Sequence, residues 1–190
     1  MITLADFEST GALLKGHFRL SSGRHSERYL QCALLLQWPE RAQAAGRDLA
    51  AQLAPFEPAA IVSPAMGGII IGHEVARALG VPFLFAERQE GSFALRRGFR
   101  LEPDTPVSIV EDVFTTGKST REVLGTVESL SARVVAVGSL VNRGVLPEAF
   151  PVPSRSLLSV EIPSWTVEEC PFCARGAALD TPGSRYLARS

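Results

Sequence analysis

The chain has 190 residues, 46% of them hydrophobic, which suits one domain with a single sizeable core. Its formal net charge of −1 at pH 7 gives no sign of a surface that binds nucleic acid or an anionic membrane. No apolar run approaches the roughly 20 residues that a transmembrane helix needs, and the start, MITLADFEST, carries acids where a signal peptide is basic and then apolar. We therefore expect a single cytoplasmic domain over residues 1–190, without nucleic-acid or membrane partners.

Apolar patterning along the chain predicts alternating helices and strands. In chain order we first expect a helix over 3–15, strands at 18–20 and 29–31 around a polar turn, and a helix over 39–53. A strand at 59–63, an apolar helix from 67 and a strand at 83–86 follow. The last predicted elements are a strand from 107, a helix over about 119–130, and strands at 134–140 and 157–160. A polar, arginine-rich segment over 87–101 interrupts the alternation as a hairpin or mobile loop, and residues 147–156 are a surface loop. The alternation predicts a doubly wound α/β domain, a mostly parallel twisted sheet flanked by helices, with additions at both ends.

Residues 107–120, VSIVEDVFTTGKST, combine a strand, two acids and a hydroxyl-rich turn. An apolar, β-branched run ends in Glu111 and Asp112, and a turn from Thr115 to Ser119 then opens a helix. Ligands of open α/β sheets bind outside the carboxyl ends of strands, and helix N-termini offer free N–H groups to phosphate. The segment therefore predicts a sugar-phosphate site. A plain capped connection is the alternative, but a cap needs only one of these small hydroxylated residues, and a P-loop is excluded because Asp112 stands where its first glycine is required.

This segment resembles the phosphoribosyl diphosphate (PRPP) signature of type I phosphoribosyltransferases. The resemblance implies that family's fold, with a small N-terminal hood and a flexible β-hairpin loop. It also implies that Glu111 and Asp112 are catalytic and hydrogen-bond the ribose hydroxyls of PRPP, directly or through metal-bound water. The implied cofactor is Mg²⁺, bound mainly through PRPP with no direct protein ligand. The residues implied to bind the 5′-phosphate are those of the turn, Thr115, Thr116, Gly117, Lys118 and Ser119.

Two further segments fit a pyrophosphate group once this resemblance is accepted. In SPAMGG, residues 63–68, the glycines allow close approach of an anion to the backbone; a simple tight turn is the alternative. The resemblance implies that Ala65, Met66 and Gly67 bind the pyrophosphate of PRPP, although orotate-specific members often have a lysine close after the Pro-Ala.

The second segment is the predicted hairpin, residues 87–101, whose guanidinium groups suit pyrophosphate oxygens and the charge on a leaving pyrophosphate. Arg88, Arg96 and Arg97 are its candidate catalytic residues, with Arg88 also binding PRPP, and which of the three matters stays open. A solvated charged hairpin is the alternative for any one of them. Family members commonly use lysines and a histidine here, which this loop lacks.

The N-terminal segment indicates the base that is bound. GHFRLSSGRHSERYLQ, residues 16–31, resembles the hood of orotate phosphoribosyltransferases, which make orotidine 5′-monophosphate from orotate and PRPP. The hood is expected from about 1–35 together with the C-terminal tail, and its matching turn is 21–24. Arg143, in VNRG, matches a family arginine whose guanidinium pairs with the orotate carboxylate. The residues implied to bind orotate are Ser22, Gly23, Arg24, Tyr29, Thr115 and Arg143.

The same resemblance implies a homodimer in which the 87–101 loop reaches the neighbouring copy's site. Two alternatives remain: a purine phosphoribosyltransferase, and a non-catalytic PRPP-sensing regulator that binds nucleic acid. Purine bases carry no carboxylate for Arg143, and the chain shows neither an added DNA-binding domain nor a basic face. The intact acid pair, Glu111 and Asp112, also favours an active enzyme.

The three cysteines are too few for a disulfide scaffold. Cys170 and Cys173 form a C-x-x-C in the tail, but no second such pair and no paired histidines accompany them, so a tight turn with two half-buried thiols is expected. Zinc shared across a dimer is the alternative. The histidines, His17, His25 and His73, are expected to be structural.

Overall fold

The computed structural model describes residues 2–20 and 22–182, which form two compact units. The large unit comprises Leu36–Val160 with the first residues of the chain, and the small unit comprises Leu4–Leu35 with the tail from Glu161. Within the described residues, no helix has both the length and the apolar character needed to cross a membrane.

The described residues contain five α-helices and nine strands. The helices are α1 (Leu4–Ser9), α2 (Cys32–Leu36), α3 (Pro39–Leu53), α4 (Gly68–Leu79) and α5 (Lys118–Ser129). The strands are β1 (Leu13–Arg19), β2 (His25–Leu30), β3 (Ala60–Pro64), β4 (Phe83–Gln89), β5 (Ser92–Leu95), β6 (Pro106–Phe114), β7 (Arg133–Asn142), β8 (Ser154–Ser159) and β9 (Ser164–Trp165). Single turns of 3₁₀ helix occur at Ala54–Phe56 and Pro147–Ala149.

The small unit contains a three-stranded antiparallel sheet in the order β1-β2-β9. The predicted helix over 3–15 is wrong, because α1 ends at Ser9 and the chain turns at Gly11, whose φ of +70° is a left-handed conformation that glycine adopts readily. Leu13 belongs to β1 and pairs with Leu30 of β2. The pairing of β1 with β2 therefore decides the conformation of this segment, although its apolar spacing also fits a helix.

The large unit is built on a six-stranded sheet in the order β5-β4-β3-β6-β7-β8. All neighbouring strands run parallel except β5, which pairs antiparallel with β4. The central strands are almost continuously buried, as expected for strands covered by helices on both faces. On β7, Val137 joins the apolar cluster that includes Val123 of α5, while a Cβ on Gly138 would contact Leu53 of α3. Because successive residues of a strand point to opposite faces, α3 and α5 cover opposite faces of the sheet.

The connectivity of this sheet reverses between β3 and β6. From β3 the chain moves outward to β4, and it later returns to the other side of β3 as β6, so the two loops that follow β3 and β6 diverge at one edge. Such a reversal leaves a crevice at the carboxyl ends of the two strands, where open α/β sheets bind their ligands.

Most of the predicted elements are confirmed within a few residues. The helix over 39–53 is α3, and the segment 87–101 contains the hairpin of β4 and β5. The surface loop over 147–156 is partly wrong, because Ser154 already belongs to β8 and pairs with Val137 of β7. Edge strands of this polar kind leave little apolar pattern in a sequence.

Candidate active site

Three loops meet at the carboxyl edge of the large sheet. Glu111 and Asp112 lie near the end of β6, the segment 65–67 follows β3, and Arg143 follows β7. The backbone N–H of Arg143 donates to the carbonyl of Phe114 at 2.8 Å, so the exits of β6 and β7 are side by side. The large-unit residues predicted from three separate motifs therefore share one edge.

Glu111 is held by α5, the helix that follows its own strand. The hydroxyl of Thr120, fully buried in the first turns of α5, donates to Oε2 of Glu111. Burial raises the pKa of Glu111 to about 7; the Thr120 hydrogen bond opposes this rise and the neighbouring Asp112 charge adds to it. The sequence analysis missed Thr120, and the only available signal was a hydroxyl residue in the first turn of the following helix.

Asp112 is half-buried at this edge, and loss of hydration raises its pKa, while the backbone N–H of Val113, donating to Oδ1 at 2.9 Å, opposes the rise. Two adjacent carboxyl groups with raised pKa values favour a ligand that donates hydrogen bonds or carries positive charge. The pair is therefore suited to sugar hydroxyls and to a hard cation.

The loop after β3 passes directly over Asp112. A Cβ built on Gly67 would lie 2.6–2.8 Å from the atoms of the Asp112 carboxyl group, so any other residue here would displace the carboxyl group or the loop. The Ala65–Met66 peptide bond is cis, and the Met66 side chain is 82% exposed. The predicted pyrophosphate loop and the acid pair are thus brought together at the point where the sheet's connectivity reverses.

The turn from Thr115 to Ser119 opens α5 without a side-chain cap. Gly117 occupies the cap position with φ +68°, and a Cβ there would also lie 2.9 Å from the Phe150 ring. Thr115, Thr116 and Lys118 are exposed. The first N–H groups of a helix lack intrahelical partners; that of Lys118 donates to the Thr116 hydroxyl at 3.3 Å, and the others, with the hydroxyls of the turn, are offered to an anion such as phosphate.

The hairpin arginines contact carboxylates of the large unit in this structure. Arg88 donates to Glu122 of α5 at 2.5 Å and to the carbonyl of Gly91 at 2.6 Å. Arg97 pairs with Glu87 through two hydrogen bonds of 2.7 and 2.9 Å, which lower the pKa of Glu87. Arg96 is exposed, and its charge contributes to the same lowering.

The remaining predicted residues belong to the small unit. Gly23, with φ +82°, lies in the turn that joins β1 and β2, and Ser22 precedes it. Arg24 donates to the carbonyl of Ser164 at 2.6 Å and to its hydroxyl at 3.0 Å. The ring of Tyr29 lies against the Phe18 ring, with centroids 5.9 Å apart. Ser21, also in the predicted turn, lies outside the described residues.

The expectation that the chain has no paired histidines is wrong. Nε2 of His17 lies 2.9 Å from Nδ1 of His25, because β1 and β2 are adjacent antiparallel strands in which His25 pairs with Arg19, two residues beyond His17. Both rings are buried, and burial lowers the pKa of His25, as do the nearby His17 and Arg19. A hairpin brings such residues together without leaving a helical or finger-like spacing in the sequence.

Comparison with known proteins gives a consistent result. No protein-family model matches the chain. An orotate phosphoribosyltransferase of Pelotomaculum thermopropionicum is 50% identical over 184 residues, which cover 97% of each chain. The orotate phosphoribosyltransferase of Thermotoga maritima is 47% identical over 180 residues, covering 95% of this chain and 96% of that relative.

Solved structures agree with these relatives. The crystal structure of orotate phosphoribosyltransferase from Aeropyrum pernix has a TM-score of 0.72 at 26% identity, covering 83% of this chain and 94% of that one. An adenine phosphoribosyltransferase from Thermoanaerobacter pseudethanolicus has a TM-score of 0.67 at 17% identity, covering 83% of this chain and 100% of that one, and so shares the fold. The predicted type I phosphoribosyltransferase fold is confirmed.

Because the pKa of Glu111 is raised, replacing this residue with an uncharged one should stabilise the folded protein, and the gain should depend on pH. The folded-state pKa of about 7 exceeds the ordinary value of 4.5, so wild-type stability is lost as pH rises from 4.5 through 7. Glu111→Gln keeps an acceptor for Thr120 and removes this loss. We expect the variant to gain about 3 kcal/mol in free energy of unfolding at pH 8 and almost nothing at pH 4.5.

Urea unfolding at the two pH values measures this difference. The matched control is Glu128→Gln, an exposed glutamate of α5, which should change stability little at either pH. An equal effect of Glu111→Gln at both pH values would contradict the prediction.

Proposed function

The chain belongs to the orotate phosphoribosyltransferase family, and from this premise we propose how its residues divide the work of the reaction. It is a pentosyltransferase of pyrimidine biosynthesis that converts orotate and PRPP into orotidine 5′-monophosphate and pyrophosphate. The observation that carries the proposal is the contact of the Gly67 backbone with the Asp112 carboxyl group, which joins two motifs at the switch point of the sheet.

The large unit binds PRPP along its carboxyl edge. The N–H groups and hydroxyls of the turn from Thr115 to Ser119 hold the 5′-phosphate, which is supported by the absence of a side-chain cap on α5. The loop of Ala65, Met66 and Gly67 holds the pyrophosphate, since its backbone lies close to the acid pair. Glu111 and Asp112 accept hydrogen bonds from the ribose hydroxyls.

The donors at this edge fit a magnesium ion that is bound mainly through PRPP. Glu111 and Asp112 offer carboxylate oxygens, which are hard ligands of the kind that Mg²⁺ prefers, and a cation nearby offsets the burial that raises both pKa values. These residues would hold the ion through water or ribose oxygens rather than as direct ligands. When bound, the ion neutralises charge on the pyrophosphate.

The chemical step needs no side-chain nucleophile. N1 of orotate forms a bond to C1′ of the ribose as the bond from C1′ to the pyrophosphate oxygen breaks, and pyrophosphate leaves with that electron pair. The N1–H bond of orotate also breaks in the reaction, and its proton passes to the leaving pyrophosphate or to water. Positive charge develops at C1′ in the transition state, and the Glu111 and Asp112 carboxylates stabilise it. Binding both substrates in the correct orientation supplies much of the remaining rate enhancement.

Orotate is recognised chiefly through its carboxylate. The Arg143 guanidinium is suited to pair with it bidentately, and the backbone bond from Arg143 to Phe114 fixes this residue beside the acid strand. Thr115 and the small-unit residues Ser22, Gly23, Arg24 and Tyr29 contribute further contacts to the base.

We also propose a cytoplasmic location, which the family's role in pyrimidine biosynthesis supports and fractionation of the source cells would test.

The hairpin over 87–101 stabilises the leaving pyrophosphate of a neighbouring copy in a homodimer. Arg96 is its most available guanidinium because it is exposed, whereas Arg88 and Arg97 must first leave Glu122 and Glu87. These ion pairs are exposed and weak, so exchange for a multiply charged pyrophosphate is favourable.

Loss of the Asp112 charge should abolish most of the activity. With orotate, PRPP and Mg²⁺, we expect Asp112→Asn to lower kcat at least about 100-fold, as removal of one electrostatic stabiliser does. The assay is the loss of orotate ultraviolet absorbance together with pyrophosphate release. Asp104→Asn is the control, since Asp104 is exposed and its φ of +61° suits asparagine. Turnover of purine bases without turnover of orotate would overturn the function.

Arg143 should determine affinity for orotate and leave PRPP binding unchanged. We expect Arg143→Ala to raise KM for orotate about 10- to 100-fold, the cost of losing hydrogen bonds to a charged group, while KM for PRPP stays the same. Arg133→Ala is the matched control, because Arg133 is exposed at the opposite end of the same strand. A similar rise in both KM values would contradict the role of Arg143.

Mixing two inactive variants tests whether the hairpin acts across a dimer. One partner is Asp112→Asn, and the other combines Arg88→Gln, Arg96→Gln and Arg97→Gln. If the hairpin acts on the neighbouring site, a mixed two-fold dimer holds one intact site, and an equal mixture should regain about a quarter of wild-type activity. No recovery, in a mixture shown by sedimentation to be dimeric and exchanged, would mean that the hairpin acts within its own chain.

A further inference from the structure

Four side chains of the small unit converge although none belongs to the predicted orotate site. They are His17 of β1, His25 of β2, and the two cysteines of the tail, Cys170 and Cys173. One candidate ligand atom from each residue lies within 4.8 Å of all the others. We propose that these four residues form a structural zinc site, independent of the proposed catalytic residues.

The separations between the atoms suit a tetrahedral ion. Nε2 of His17 lies 3.4 Å from Sγ of Cys170 and 3.6 Å from Sγ of Cys173, and Nδ1 of His25 lies 3.2 Å from Sγ of Cys173. With ordinary zinc–sulfur and zinc–nitrogen bonds, nitrogen and sulfur ligands of a tetrahedral site are about 3.6 Å apart. The two histidine nitrogens, at 2.9 Å, are closer than the roughly 3.3 Å of that geometry. Seating the ion therefore requires the two rings to move apart by a few tenths of an ångström, while the widest separation among the four ligand atoms, up to 4.8 Å, must shorten.

His17 is already oriented as a metal ligand. Its Nδ1 lies 3.0 Å from the carbonyl of Ala177, and only a protonated Nδ1 can donate to that oxygen. The Nε2 lone pair is therefore directed at the cluster, the arrangement that a second hydrogen bond gives to most metal-bound histidines. The Phe172 ring, between the two cysteines in sequence, stacks on the His17 ring with centroids 5.5 Å apart.

The donor set selects zinc. Two thiolates and two imidazoles in tetrahedral array suit Zn²⁺, whereas Mg²⁺ requires oxygen ligands. His17, His25 and Cys170 are each no more than 5% exposed, and four protein ligands leave no open position for a substrate. The site is therefore structural, and its ion has no role in the transfer reaction.

The position of the cluster explains what a metal would stabilise there. Between Thr166 and Pro182 the described tail has turns and one isolated bridge, Phe18 to Asp180, but no helix or strand. A small unit with a short sheet gains most from a cross-link, and metals supply it where the hydrophobic core is small. An ion here would tie the tail to the β1–β2 hairpin, joining residues more than 140 positions apart in sequence.

Metal content of the full-length protein tests the site directly. After purification without added metal and dialysis against a weak chelator, elemental analysis should find about one zinc per chain, because a closed Cys₂His₂ set binds zinc tightly. Cys173→Ser should weaken zinc binding at least about tenfold in competition with a chromogenic chelator. Cys32→Ser is the matched control, a buried cysteine of the same unit outside the cluster, and it should retain the zinc.

Cobalt substitution keeps the test decisive even if Cys173→Ser fails to fold. Wild-type protein stripped of metal and given Co²⁺ should show intense visible bands of a tetrahedral ion together with near-ultraviolet thiolate-to-cobalt charge transfer. Weak octahedral bands without charge transfer, or wild-type zinc affinity no tighter than that of folded Cys173→Ser, would overturn the proposal. Failure of the wild-type chain to bind zinc, while it turns over orotate at its full rate, would also overturn the proposal and would leave the proposed function standing.

Discussion

The large unit depends on one close contact, between the backbone of Gly67 and the carboxyl group of Asp112. It occurs where the connectivity of a parallel sheet reverses, so two loops far apart in sequence approach each other with nothing between them. A side chain at position 67 would displace either the loop or the acid. The same glycine that permits this approach therefore sets the distance between the loop proposed to bind pyrophosphate and the acid proposed to bind ribose.

Burial of the acid pair opposes folding and favours binding. Ionised carboxylates at a half-buried sheet edge destabilise the empty protein, as the raised pKa of Glu111 shows, and hydroxyl donors or a cation relieve that cost when a ligand is present. Thr120 reduces the penalty without removing it. Sites that retain such groups at the expense of stability are common where catalysis needs charge in a partly dry environment.

Features that depend on residues close together in sequence could be predicted, whereas features that depend on tertiary contacts could not. The strand and helix around Glu111 and Asp112 follow from a run of β-branched residues and a hydroxyl-rich turn, and both elements form as expected. The failed helix over 3–15 shows the limit of local pattern, because Leu13 fits a helical stripe equally well until strand pairing with Leu30 decides.

Side-chain pairs made by tertiary structure were not predictable in this way. The bond from Thr120 to Glu111 depends on how α5 packs against β6, and the approach of His17 to His25 depends on hairpin register. Neither pair of residues has a characteristic spacing in sequence from which its contact could be predicted. The acid pair could be identified from residue type and position, whereas the residues that tune it required coordinates.

The ion pair between Arg88 and Glu122 makes α5 sensitive to the state of the hairpin. Glu122 lies on α5, whose first turn is proposed to bind the 5′-phosphate, and the side chains of Arg88 and Glu122 are partly exposed, at 44% and 30%. Such a pair is worth at most about 1 kcal/mol, comparable to thermal energy. Dissolved salt screens such an exposed pair, so ionic strength alone should change how often the Arg88 guanidinium is released from the helix.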